Sequence, residues 1–177
     1  MKTSRKEFTK NCLATAFIEL LEKRDITDIS IQDIVDKAGF SRMAYYRNFK
    51  HIDEILDYYL FSYSEEFMKK TKIDFATMGA ERFFITIFEH LGNEKTRHIA
   101  NIMYERGLVF TLYRAFLQIF NPKDKDSKRL YDHRFIAGGV FGIYLRWVKL
   151  GYKETPEELT QIVLRFLPEE MKASHEG

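Results

Sequence analysis

Apolar residues recur along this chain with the period of a helix. Leu13, Ala16, Phe17, Leu20 and Leu21 stand at i, i+3, i+4, i+7 and i+8. That spacing predicts one buried face of a first helix from about Ser4 to Lys23. Ser30 is a good N-cap, and Ile31, Ile34 and Val35 after it predict a short second helix. Gly39 breaks the pattern, and Ser41 caps a third short helix ending near Phe49. A fourth, longer helix begins near Asp53 and carries Ile55, Leu56, Tyr59, Leu60 and Tyr63.

Further helices are predicted over residues 76–91, 94–105 and 107–120, separated by Gly92 and Gly107. The polar stretch 121–128 contains Pro122 and reads as a loop. A helix over 129–150 is apolar all round, so it must be covered on most sides. Thr155, Pro156 and Glu158 form a helix start, with a Thr cap, Pro at the first position and Glu at the third. Leu159, Ile162, Val163, Phe166 and Leu167 then make an amphipathic stripe that Pro168 ends, leaving 169–177 as a frayed tail. No segment alternates as a strand does. The expected fold is all-α, with about nine helices.

Composition supports one substantial core: 45% of residues are hydrophobic and 31% charged. The 28 basic and 26 acidic residues nearly cancel, so no global charge dictates a partner. The charge divides unevenly, however. Residues 1–50 hold ten Lys/Arg and seven Asp/Glu, a net of +3, and the remainder is at −1. The lone Cys12 excludes an internal disulfide framework and is expected to be a small buried hydrophobe. No apolar run approaches the roughly 20 residues of a membrane span, and no apolar stretch follows the first basic residues. A cytoplasmic location without membrane contact is the expectation.

The stretch from Ser30 to Leu56 is the informative one. Two short helices hinge at Ala38-Gly39-Phe40-Ser41. A wheel of residues 42–49 puts Arg42, Met43, Tyr46 and Arg47 on one face and Ala44, Tyr45, Asn48 and Phe49 on the other. The first face offers two guanidinium groups, a phenol and a thioether; the second packs inward. Such a face is most often a solvated surface. On a short helix after a tight turn, it suits phosphate and base contacts in a major groove.

These residues resemble the helix-turn-helix of TetR-family transcriptional regulators. The resemblance rests on Ser30, the turn Ala38-Gly39-Phe40-Ser41, Tyr46-Arg47-Asn48-Phe49 and Lys50, and it covers roughly residues 7–67. It implies a DNA-binding domain over 1–52, with the motif at 30–49 and the region extending to about 67 with the fourth helix. A C-terminal dimerisation and ligand-binding domain over 53–177 follows. It further implies that Gln32, Arg42, Met43 and Ala44 approach base edges, while Ser30, Tyr46, Arg47 and Lys50 hold phosphates. Ser41, as the cap of the reading helix, belongs to the same DNA-facing set. The chain departs from the family pattern at His51 and Ile52, where a polar residue and a lysine are common, so Asp53 is the expected cap of the fourth helix. Met43 stands where a small or polar residue is usual.

Farther along, Phe135-Ile136-Ala137-Gly138-Gly139, Gly142, Trp147, Gly151 and the Thr155 start resemble one Firmicute-type subgroup of TetR C-terminal domains. Such domains dimerise through their last two helices. Three mid-helix glycines, each costing roughly 1 kcal/mol against Ala, independently imply a close backbone approach by another helix or by a ligand. By that resemblance, Gly138, Gly139, Gly142, Leu159, Ile162, Val163 and Phe166 are the expected dimer surface. Most of the 27 aromatic residues are expected in the core. The best candidates to line a pocket for a small apolar or aromatic effector are Tyr63, Phe67, Phe84, Phe88, Tyr104, Tyr113 and Phe141.

His90, His98 and His133 lack metal-ligand spacing, and no nucleophile, phosphate-loop or dinucleotide motif occurs. No catalytic residue, metal or cofactor is expected. The expected molecule is a homodimeric regulator of double-stranded DNA that reads a palindromic operator, a repressor released when an effector tilts the fourth helix. The alternative keeps the DNA-binding head and makes the body a docking surface for a protein partner, so that the molecule is a co-activator.

Overall fold

The computed structural model describes residues 4–120 and 127–172, apart from the side chains of residues 76, 127–130 and 170. Every regular element among them is helical. The elements are α1 (Arg5–Leu21), α2 (Ile31–Ala38), α3 (Arg42–Tyr46), α4 (Ile52–Thr71), α5 (Phe75–Met78), α6 (Ala80–Gly92), α7 (Glu94–Glu105), α8 (Val109–Ile119), α9 (Ser127–Lys149), α10 (Pro156–Leu164) and α11 (Glu169–Lys172). Nine of them have five residues or more. A single 3-10 turn, Ile26–Asp28, separates α1 from α2. The chain is all-α.

Local chemistry sets the helix ends. Ser4 Oγ accepts the Glu7 N–H at 3.2 Å and opens α1. Gly39 closes α2 at φ +71°, a left-handed conformation that a side chain would strain. Thr155 Oγ1 accepts the Glu158 N–H, and Glu158 reaches back to the Thr155 N–H at 2.8 Å, so α10 starts with a complete capping box.

Five boundaries differ from the sequence expectation, the first being that of α3, which ends at Tyr46 and not near Phe49. The helix expected over 76–91 is broken at Gly79, whose φ of +72° ends α5 and turns the chain into α6. α4 starts at Ile52, so Asp53 lies inside its first turn. Glu54 ties that turn to the preceding chain, its Oε2 accepting the Lys50 N–H at 2.9 Å. α10 ends at Leu164, before Phe166 and Pro168, and residues 169–172 of the expected tail form α11. Of the expected loop 121–128, residues 121–126 lie outside the described residues, and 127–128 already belong to α9.

The chain divides into two compact units. The first comprises Met1–Tyr63 with Ile102–Ala115, the second Ser64–Asn101 with Phe116–Gly177. In the first, Leu13, Phe17, Leu21, Ile34, Tyr45 and Ile55 are fully buried and form the core. Arg106 ties the later segment to the end of α1, donating to the Leu21 and Glu22 carbonyls and pairing with Asp25 at 2.6 Å. Arg114 pairs with Asp57 in the same unit.

The second unit is built around aromatic rings. Trp147 is buried, edge-on to Phe88, and its Nε1 donates to the Glu154 carbonyl at 3.0 Å. The Arg97 guanidinium lies over both Trp147 and Tyr152. α10 packs on α6, where Gln161 Nε2 donates to Glu81 Oε1 at 3.0 Å. No described helix is long and apolar enough to cross a membrane.

Candidate nucleic-acid interface

α3 is only five residues long, too short to persist alone. Three anchors hold it. Ser41 Oγ accepts the Ala44 N–H at 3.2 Å and caps it. Tyr45 and Phe49 are buried beneath it, with ring centroids 6.2 Å apart. Asn48 Nδ2 donates back to the Ala44 carbonyl at 2.7 Å. Phe49 continues the anchor onto α4 through the Tyr58 ring, and the Lys10 ammonium lies 4.8 Å from the Tyr58 ring centroid and 5.2 Å from that of Phe49. Burial pushes the Tyr45 phenol up to about 12, so it remains neutral in the core.

The opposite face is bare. Arg42, Met43, Tyr46 and Arg47 are all exposed, as are Ser41 and Lys50. Arg42, Arg47 and Lys50 make no side-chain ion pair among the described residues. The basic residues packed about α2 are paired: Arg24 with Asp33 at 3.3 Å and Lys37 with Glu19 at 2.7 Å. Positive charge is therefore neutralised around α2 and left open on and beside α3.

Besides Ser41, whose hydroxyl caps α3, two residues of the expected DNA-facing set are engaged within the protein. Ser30 Oγ donates to Asp33 Oδ2 at 2.5 Å and accepts the Asp33 N–H at 3.2 Å, while its own N–H donates to the same carboxylate at 2.8 Å. Its hydroxyl hydrogen is thus directed at Asp33. The Ser30 hydroxyl and then its backbone N–H hold the Asp33 carboxyl below its usual value, with Arg24 adding to the effect. Gln32 Nε2 donates to Asp36 Oδ1 at 2.6 Å. Ala44 is half-buried under the face.

The expected dimer residues fall into three groups. Leu159 and Val163 are buried within the chain, on the helix that packs against α6. Gly138 and Ile162 are half-buried. Gly139 and Gly142 are exposed, with no atom within 4 Å of an added Cβ, and Phe166 is 78% exposed. On the same side of α9 as Gly139 and Gly142 stand Tyr131 and Phe135, 78% and 83% exposed, at i, i+4, i+8 and i+11. Sequence reasoning passed over Tyr131; its helical register with Phe135 was the available signal.

The expected pocket residues also divide. Phe84 and Phe141 are linked through Phe120 and Phe116 in one ring cluster, Phe88 meets Trp147, and Phe67 stacks on His90 at 3.7 Å. Tyr63, Tyr104 and Tyr113 belong to the first unit, where Tyr104 is exposed and the other two are half-buried.

Comparison with known proteins places this architecture. Residues 79–169 match a TetR-type family described as the transcriptional regulator C-terminal region, just over half of the chain. The chain belongs to the TetR family of transcriptional regulators. It is 25% identical over 169 residues to an uncharacterized HTH-type transcriptional regulator, YxbF, of Bacillus subtilis (strain 168). That match takes in 90% of this chain and 44% of the relative, so the chain spans less than half of the relative's length. A solved structure, the dihydroxyacetone kinase operon activator DhaS, shares the fold at 16% identity and a TM-score of 0.54, covering 93% of this chain and 96% of that one.

This TetR-family chain carries a further surface feature that no sequence motif marks. A shallow groove of about 350 Å³ on the first unit is lined by Phe8, Cys12, Ala16, Lys37 and Ala38 among others. Cys12, expected in the core, is half-exposed there instead, because it faces the gap beside α2. Among the described residues no group of three or more His, Cys, Asp or Glu side chains is placed to hold a metal.

Proposed function

We propose that this chain is a homodimeric, sequence-specific DNA-binding regulator that represses its target and is released by a small apolar or aromatic effector. Residues 1–52 form the reading head and residues 53–177 the dimerising and sensing body. The observation that carries the reading is the face of α3. Five residues are held by Ser41, Tyr45 and Phe49, yet Arg42, Met43, Tyr46, Arg47 and the adjacent Lys50 stand exposed, with the three cations unpaired among the described residues. A protein has no folding reason to anchor so short a helix while leaving that face bare. A major groove supplies both the phosphates and the base edges that it fits.

Arg42 and Met43 approach bases. Ser41, Tyr46, Arg47 and Lys50 hold phosphates, with Ser30 and Gln32 buttressing α2. The dimer forms on the outer side of α9, where Phe135, Gly139 and Gly142 let a second copy approach closely, and it also takes in the exposed Phe166 that follows α10. A two-fold pair of heads then demands a palindromic site, with half-sites about 34–36 Å apart.

A second reading makes the molecule an activator whose body docks a protein. The rings of Phe84, Phe116, Phe120 and Phe141 pack on one another and that of Phe88 packs on Trp147, a filled arrangement that favours it, as does the printed name of the DhaS structure, an operon activator. Selection of binding sites from random duplex DNA tests the shared claim. An enriched palindrome is expected, and a failure to enrich any sequence overturns it. A reporter carrying that site then separates the readings by the sign of its response.

A further inference from the structure

Among the exposed residues of 30–54, only Met43 and Tyr46 are large and apolar in body; the others are polar, charged or glycine. Met43 is 63% exposed and Tyr46 57%. Around the axis of α3, Arg42, Tyr46, Met43 and Arg47 lie at about 0°, 40°, 100° and 140°. The two apolar groups therefore form an island between two guanidinium groups. Tyr46 has a hydroxyl for a phosphate. The Met43 thioether has no donor and is at best a weak acceptor.

A thioether facing a polar base edge would strip water from that edge and return no hydrogen bond, which is unfavourable. The major-groove edges of the four base pairs carry one apolar group, the C5-methyl of thymine. A flexible methionine side chain is suited to close over such a methyl. We infer that Met43 is a specificity-determining residue: it makes each half-site require thymine at the pair it faces, by burying that methyl between the flanking Arg contacts. The inference rests on the proposed DNA-binding reading and names what that same face selects.

The test starts from the operator enriched by the wild-type protein. Each thymine is replaced in turn by deoxyuridine, which removes the methyl and nothing else. At one thymine per half-site, wild-type affinity is expected to fall about fourfold, the equivalent of one buried methyl. The Met43→Ala protein is expected to bind thymine and deoxyuridine at that position equally, while Met43→Leu retains the preference. Met43 is exposed and Ala favours helix, so the Ala variant is expected to fold. Operator binding with no thymine whose methyl effect depends on Met43 overturns the inference and leaves the DNA-binding reading standing. Enrichment of no sequence by the wild type overturns both.

Discussion

Gly92 lies directly against the indole of Trp147. A Cβ at position 92 would stand 2.7 Å from Trp147 Cη2, inside any real contact distance. The indole has little room to yield: it is buried, edge-on to Phe88 and Tyr152, and hydrogen-bonded to the Glu154 carbonyl. Gly92→Ala is therefore expected to lower stability by about 1–2 kcal/mol, overpacking outweighing the better helix propensity of Ala. Denaturant unfolding measures it. In the Trp147→Phe background the same change should cost less, since the ring atom it strikes is gone.

Stability should also depend on acid through His90. Burial against Phe67 lowers its pKa from 6.5 to about 4. The unfolded chain therefore takes up this proton before the folded one does. The contribution is complete above pH 6.5 and is lost as pH falls towards 4. Thermal unfolding of wild type and His90→Phe across that window should converge in slope elsewhere and diverge within it. Identical profiles would remove the assignment.

On the reading face, Arg42→Ala should weaken operator binding by about 1–3 kcal/mol. Tyr46→Phe should weaken operator and unrelated duplex alike, because a phosphate contact carries no base information. Lys50→Ala should make the salt dependence of binding shallower by about one unit of log–log slope. Mobility shifts at three salt concentrations read all three effects.

The outer face of α9 separates folding from assembly. Phe135 and Phe166 are exposed in the protomer, so Phe135→Glu with Phe166→Glu should leave helical content intact and yield a monomer by light scattering. Ile162 is half-buried and would confound the two. Gly142→Ala meets nothing within 4 Å and should stabilise α9 by up to about 1 kcal/mol. If a second copy packs there, the same change should weaken the dimer. A double Glu variant that remains dimeric would place the interface elsewhere.

Ser30→Ala should cost about 1 kcal/mol of stability, since its hydroxyl caps α2 and braces Asp33. Its affinity for DNA should change little beyond that loss if the hydroxyl stays directed at Asp33. A strong affinity defect in a fully folded Ser30→Ala protein would restore the residue to the phosphate-holding set.

Helix positions were legible wherever one face of the chain is apolar and a capping residue marks the start. Ser4, Ser30, Ser41 and Thr155 each cap the helix that they precede, because a cap needs only a side-chain oxygen and an N–H two or three residues on. The break at Gly79 was not legible: the apolar spacing runs through it, and only the backbone angle reveals the turn. Nor was the engagement of Gln32, since Asp36 stands one helical turn away and competes with any ligand.

The sequence by itself determined the all-α class, the turn at Gly39 and the split of α3 into an aromatic anchor and a basic, apolar-tipped face. Each follows from periodicities and local hydrogen bonds spanning four residues or fewer. Tertiary structure decided the rest. It returned Ile102–Ala115 to the unit that holds α1, through Arg106 and the carbonyls at the end of that helix. It placed a glycine under Trp147, left Cys12 beside a groove, buried Leu159 and Val163 and exposed Phe135 and Phe166. Which side of an all-round apolar helix faces water depends on what packs against the other sides, and those neighbours come from distant parts of the chain.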